Sequence, residues 1–252
     1  MKRILAALLF AAASVPASAA DMPVKAAPLS AAMGYDWTGF YVGGHVGYGW
    51  AKSEVLNLNG GAAFPAGTTS TNRSDGVIGG GQVGYNYQFN RNWVVGVEGD
   101  FSWSDIHGST FAVSPITAAT LDTQSEISWV ATAAGRVGYS FSNWLLYAKG
   151  GGAWAHFDSS AVGASAAGLV GIRAMGNETR SGWLIGGGLE YGWSNWSAKV
   201  EYNYLDFGTD TVSRFATLNV IGNPNPSLRA TDSQVHLVKV GLNYRFGWPA
   251  FR

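Results

Sequence analysis

The 252-residue chain contains no cysteine. That excludes a disulfide-stapled secreted module and any zinc site built on thiolates. Charge is scarce: Asp, Glu, Lys and Arg make up 13% of the chain, where about 25% is usual. The 16 basic residues are matched by 16 acidic ones. The basic surplus of a nucleic-acid binder is therefore missing, and no nucleic acid is expected as a partner. Beyond the first 20 residues there is no apolar run of the length a transmembrane helix needs. What is abundant is glycine, with 35 residues, and aromatic side chains at 13%, including 11 Trp. So much glycine argues against a helical bundle, since each interior glycine costs about 1 kcal/mol. So many rings argue against disorder. A glycine- and aromatic-rich β protein remains.

Residues 1–20 read as a secretory signal peptide. Lys2 and Arg3 form its basic start, Ile4 to Ala13 its apolar core, and the small residues around Ala19 and Ala20 its cleavage site, after one or the other. Loss of Lys2 and Arg3 leaves 14 basic against 16 acidic residues, a mature charge of −2. Residues 21–34, with two Pro and many Ala, read as an extended periplasmic linker.

From Phe40 onward the hydrophobic period is two. Alternation over 40–50, 77–89, 93–103, 127–141, 144–157, 182–193, 196–207 and 234–246 predicts eight strands of about 11 to 14 residues. Three connections are tight and nearly repeat: Phe89-Asn90-Arg91-Asn92-Trp93, Phe141-Ser142-Asn143-Trp144 and Trp193-Ser194-Asn195-Trp196. Asn suits such turns because it tolerates left-handed backbone. Four other connections, roughly 51–75, 104–126, 158–180 and 208–232, are read as long loops. An even strand count with short turns at one end and long loops at the other is the outer-membrane barrel plan. The fold class is thus all-β: an eight-stranded antiparallel transmembrane β-barrel, an up-and-down meander over 35–246, followed by a short extension, 247–252.

The aromatics act as a ruler. Phe40 to Trp50, Trp93 to Trp103, Trp144 to Trp154 and Trp183 to Trp193 are each ten residues apart on one face, and Trp129 to Phe141 slightly more. Ten tilted residues rise roughly 24 Å, close to the height of an outer-membrane apolar band bounded by aromatic girdles. Trp196 and Phe246 join the girdles. In a soluble barrel the apolar face would point inward around a ligand. The spacing of the rings and the scarcity of exterior charge favour the membrane.

With the aromatic face on lipid, the strand charges fall inside: Glu98, Asp100, Glu190 and Glu201 against Arg136, Lys149, Lys199, Lys239 and Arg245, with His45 beside them. They suit either an ion path or a salt-bridged core; an eight-stranded barrel is just wide enough for side chains to fill, which favours the core. Glycines on the same face, such as Gly43, Gly84, Gly96 and Gly188, leave room for water pockets and hence for a small conductance.

Little points to chemistry. Gly79-Gly80-Gly81 and Gly186-Gly187-Gly188 lie inside strands and form no phosphate loop. His107-Gly108-Ser109, with Glu126, echoes the His-x-Ser pair of outer-membrane lipid A deacylases, without a supporting motif. His107, His156 and His236 fall near the loop end without metal-ligand spacing. No catalytic residue, metal or cofactor is assigned. Val238, Val240, Leu242, Tyr244 and Phe246 alternate outward and resemble the C-terminal signal read by the outer-membrane assembly machinery.

Tyr35-Asp36-Trp37-Thr38-Gly39-Phe40-Tyr41-Val42-Gly43-Gly44 resembles the opening of the outer-membrane immunogenic protein family, small porin-family barrels with an OmpA-like eight-stranded plan. Leu146 to Gly151, Gly182 to Tyr191, Lys199 to Tyr202 and Val240 to Phe246 are similar to its later strands. The resemblance implies a non-enzymatic, surface-exposed protein of the Gram-negative outer membrane, with periplasmic termini and extracellular loops. Its partners would be membrane lipid, lipopolysaccharide and, through the last strand, the assembly machinery. The function expected is structural, with at most weak solute or ion permeation. The alternative is a surface binding protein whose loops take haem or a host partner. Oligomeric state is left open.

Overall fold

A computed structural model describes residues 34–57, 69–113, 120–164, 171–208, 210–212 and 228–246. The signal-peptide and linker assignments up to residue 33, the extension 247–252 and the tips of the four long connections lie outside the described residues. Nine strands form one antiparallel sheet: β1 Gly39–Asn57, β2 Thr69–Phe89, β3 Trp93–Val113, β4 Thr120–Phe141, β5 Trp144–Ala164, β6 Gly171–Trp193, β7 Trp196–Asp206, β8 Asp210–Val212 and β9 Leu228–Phe246. Each strand pairs with the next, except that β7 pairs with β9 and the three-residue β8 pairs only with β9. β1 pairs with β9, from Phe40↔Phe246 to Asn57↔Leu228, which closes the sheet into an eight-stranded barrel. At the turn end, up to the level of Trp183, closure pairs every strand on both sides, the condition for a strand structure to sit in lipid; farther along, residues 171–182 of β6 pair with β5 alone.

The alternation sets the faces. Val46, Val97 and Ile185 point out and are 68%, 62% and 57% exposed. Their neighbours in sequence point into a lumen where side chains are buried. No described helix is long and apolar enough to cross a membrane.

The strands are longer than the alternation predicts. β2 to β6 run 21 to 23 residues. Much of what reads as loop at 51–75, 104–126 and 158–180 is hydrogen-bonded ladder. The reason is physical: alternation is enforced only where one face meets lipid, while the ladder itself needs no apolar side chains. Register shifts at Ser53/Glu54, Trp103/Ile106 and Ile127/Trp129 sit near the upper girdle. At the last an extra residue is accommodated, so Ile127 and Val130 are both buried while Glu126 is exposed.

The repeated tight turns have a shared construction. The left-handed residues are Asn90, Arg91, Ser142 and Ser194, so in two turns serine, not asparagine, takes that conformation. The asparagines that follow serve as clamps. Asn92, Asn143 and Asn195 each donate a side-chain N–H to a carbonyl on the next hairpin: Ser140 at 2.7 Å, Gly192 at 2.8 Å and Arg245 at 3.0 Å. Their own carbonyls accept the N–H of the same three residues. Three two-bond clamps thus tie neighbouring hairpins together at the turn end.

Candidate functional site

The lumen is built in three layers. The turn-end layer is made by the chain before β1. Tyr35 to Thr38 fold into the barrel mouth and Trp37 is fully buried against Val94, Leu145 and Tyr147. Its indole N–H donates to Ser140 Oγ at 3.0 Å and its main-chain N–H to Gln88 Oε1 at 2.8 Å. Arg245 donates to the Trp37 carbonyl and lies against the rings of Tyr35, Trp37 and Tyr41.

The middle layer is charged. Every one of Glu98, Asp100, Arg136, Lys149, Glu190, Lys199, Glu201, Lys239 and Arg245 is at most 6% exposed. Glu98 is the hub. It receives Lys149 Nζ at 2.9 Å, Lys199 Nζ at 3.0 Å and the Tyr41 hydroxyl at 2.8 Å, with Arg136 at 3.5 Å. Glu201 takes Lys149 at 2.8 Å and the Tyr147 hydroxyl at 2.7 Å. Lys239 meets Asp100 at 2.7 Å. His45 bridges Gln82 Oε1 at 2.5 Å and Ser102 Oγ at 2.8 Å, with Asp100 at 3.6 Å. Gln82 passes the chain on to Asn243 at 2.6 Å, and Asn243 to Glu190 at 2.9 Å. Such charges are tolerated because they are paired and hydrogen-bonded; one alone would cost several kcal/mol.

The loop-end layer is apolar. Ile78, Ile106, Ile127, Val130, Leu184, Leu205, Val235 and Leu237 meet inside the barrel, with Phe207 over them. Parity places these residues inward, but a period-two reading expects polar groups there, so nothing in the sequence marks them as a cap.

The lumen glycines do not open pockets. At Gly43, Gly47, Gly80, Gly84, Gly96, Gly138, Gly186 and Gly188 an added Cβ would come within 3.0 Å of a neighbouring atom. Two of these contacts are with tyrosines: Tyr41 lies over its cross-strand partner Gly84, and Tyr147 over Gly188. Outward glycines differ, and a Cβ at Gly135 would meet nothing within 4 Å.

The outward aromatics form two bands. At the turn end are Phe40, Trp93, Phe141, Trp144, Trp193, Trp196 and Phe246, at the loop end Trp50, Trp103, Trp129, Trp154 and Trp183. Cross-strand tyrosines complete the lower band: Tyr85 on Phe40 at 4.7 Å, Tyr139 on Trp93 at 5.5 Å, Tyr191 on Trp144 at 4.7 Å and Tyr244 on Trp196 at 5.1 Å. In the upper band His236 stacks on Trp50 at 5.4 Å and bonds the Tyr202 hydroxyl. His156 stacks on Trp129 at 5.9 Å and bonds Thr179. His107, paired in register with Glu126, contacts Asp105 at 3.5 Å, both well exposed. The three histidines are held on β3, β5 and β9 by separate partners. Among the described residues no group of three His, Cys, Asp or Glu could hold a metal ion.

A family model described as "Outer membrane protein beta-barrel domain" matches residues 5–246. The 31 kDa outer-membrane immunogenic protein of Brucella melitensis is 31% identical over 98% of this chain and 100% of its own length. The 25 kDa outer-membrane immunogenic protein of Brucella abortus is 27% identical over 96% of each chain. Among solved structures, the outer membrane protein OprG from Pseudomonas aeruginosa superposes with a TM-score of 0.50 at 12% identity, over 85% of this chain and 99% of OprG. That likeness is one of fold.

Proposed function

Because the chain belongs to the outer membrane protein β-barrel domain family, we propose that it is a structural barrel of the Gram-negative outer membrane whose lumen is closed, with at most a weak leak. One observation carries this reading: the charged layer lies between two apolar layers. Water or an ion would have to cross Trp37, Val94 and Leu145 at one end and Ile78, Ile106 and Leu237 at the other. Apolar constrictions block passage by shedding water, even without a complete steric seal. The buried ion pairs of Glu98, Asp100, Glu190 and Glu201 then serve to hold the staves together, not to select a solute. Membrane lipid and lipopolysaccharide surround the outward face, and the outward row ending at Phe246 is the segment the assembly machinery would read. No residue takes a catalytic role in this account: His107, Ser109 and Glu126 stand on the outer wall. Refolding into vesicles loaded with a small fluorophore tests the closed lumen. Dye retention equal to that of empty vesicles is expected, and rapid efflux would overturn it.

The ladders support a second role. β3 continues ten residues past Trp103 to Val113, roughly 24 Å of further tilted rise. Strands that extend so far beyond the girdle would raise the connections clear of the membrane for contact with a macromolecular partner. The separate placement of His107, His156 and His236 offers no shared haem site. An epitope tag within 58–68 should be stained on intact cells; staining only after permeabilisation would reverse the orientation.

A further inference from the structure

We infer that the turn-end half of the lumen is a binding site for one small monovalent anion of chloride size, held by Arg136, Arg245 and Asn86. This goes beyond a closed structural barrel, and the two can fail separately.

The first ground is charge. Among the described residues the lumen buries five cations and four carboxylates. With His45 uncharged the surplus is one positive charge, and a protonated His45 only enlarges it. The lysines are well matched, with carboxylate contacts of 2.7 to 3.0 Å. The surplus therefore falls on the two arginines, which share Glu190 at 3.4 and 4.0 Å, Arg136 also reaching the lysine-bound Glu98 at 3.5 Å. Glu190 is already engaged, since its Oε1 accepts from Ser197 at 2.5 Å and Asn243 at 2.9 Å.

The second ground is the hydrogen-bond inventory. Arg136 Nη2, Arg245 Nη2 and Asn86 Nδ2 are buried donors with no acceptor among the described residues. Arg136 Nε donates to Asn86 Oδ1 at 2.8 Å, so these two are already joined. Both guanidiniums lie against the Tyr41 ring, at 4.9 and 5.5 Å from its centroid. The Arg245 side chain passes beside Gly39, the register partner of Asn86. The rings of Tyr35, Trp37 and Tyr41 attract the Arg245 charge through their faces; the Tyr35 hydroxyl accepts from Nε at 3.4 Å and the Trp37 carbonyl from Nη1, which leaves Nη2 alone without an acceptor. Two orphan guanidinium donors against one ring, a third on the amide that Arg136 bonds, and one uncompensated charge call for an acceptor that is also negative. A water molecule would satisfy the donors and leave the buried charge, which is the costlier fault.

Because both ends of the lumen are capped, the anion enters during folding. The test is to refold the protein in bromide, pass it into bromide-free buffer by gel filtration, and measure bromine per chain by X-ray fluorescence. Wild type should retain about one ion, as expected of a single site, and heat-modified gel mobility should need a higher temperature after refolding in chloride than in gluconate. Arg245→Gln should lose at least about tenfold in retention together with the halide effect. Asn86→Ala, which removes one donor but no charge, should weaken both and guards against misfolding of the first variant. No retained bromide in wild type means water fills the site, and the inference fails. Equal retention in wild type and Arg245→Gln means an adventitious ion only, and the inference fails there too.

Discussion

Replacing Glu98 by Gln removes the hub of the charged layer while keeping its shape. Lys149 and Lys199 lose contacts of 2.9 and 3.0 Å, and Arg136 loses one of 3.5 Å. The lumen surplus rises from one positive charge to two. Removing one partner of a buried pair costs about 3–5 kcal/mol. Here the stranded cations keep other carboxylates: Lys149 keeps Glu201 at 2.8 Å, Lys199 keeps it at 3.5 Å, and Arg136 keeps Glu190 at 3.4 Å. The loss should therefore sit at the low end, about 3 kcal/mol, or roughly 150-fold in the folding equilibrium. Urea unfolding in phosphocholine vesicles, followed by tryptophan fluorescence, reads this as a lower midpoint at unchanged slope. Adding Lys199→Met restores the charge surplus to one, and the double variant should regain more than half of the loss. A Glu98→Gln barrel within about 1 kcal/mol of wild type, the scale of an ordinary hydrogen bond, would refute the reasoning. So would a double variant no more stable than the single one.

Further outcomes follow from the same geometry. Val97→Lys places a charge on the outward face and should cost about 2–4 kcal/mol by the same urea assay if the residue lies near mid-depth. Asn143→Ala deletes the clamp bond to Gly192 and should cost about 1 kcal/mol, seen as a lower midpoint with the barrel still heat-modifiable on gels. Trp37→Ala empties the turn-end layer and should cost about 3–5 kcal/mol without permitting dye efflux, because the Ile106 and Leu237 layer remains. Phe246→Ala should slow insertion catalysed by the assembly machinery in reconstituted vesicles while leaving uncatalysed refolding in detergent near the wild-type rate.

Much of the fold is legible in the sequence because lipid on one side and packed lumen on the other enforce a period of two. Parity along β3 is enough to separate Val97 from Glu98. It says nothing about partners: Glu98 and Lys199 are 101 residues apart, and only closure of β1 on β9 with its fixed register brings them together. The repeated Asn-Trp turns are visible as a repeat, but the clamp is not, since it depends on a carbonyl of the next hairpin. Strand ends are illegible for a related reason: beyond the girdle both faces meet similar surroundings, so alternation fades while hydrogen bonding continues. Trp37 reads as the edge of the barrel, yet it is the stopper. Its role depends on how the chain enters β1 at Gly39, whose φ of +131° only glycine adopts easily.

The closed lumen with a cap at each end is tested most directly by single-channel recording in planar bilayers on four proteins: wild type, Trp37→Ala, Leu237→Ser and the double variant. Two seals in series predict no stable current steps for wild type or either single variant, and discrete steps for the double variant alone. Stable steps in wild type, or in one single variant as large as in the double, would contradict the account.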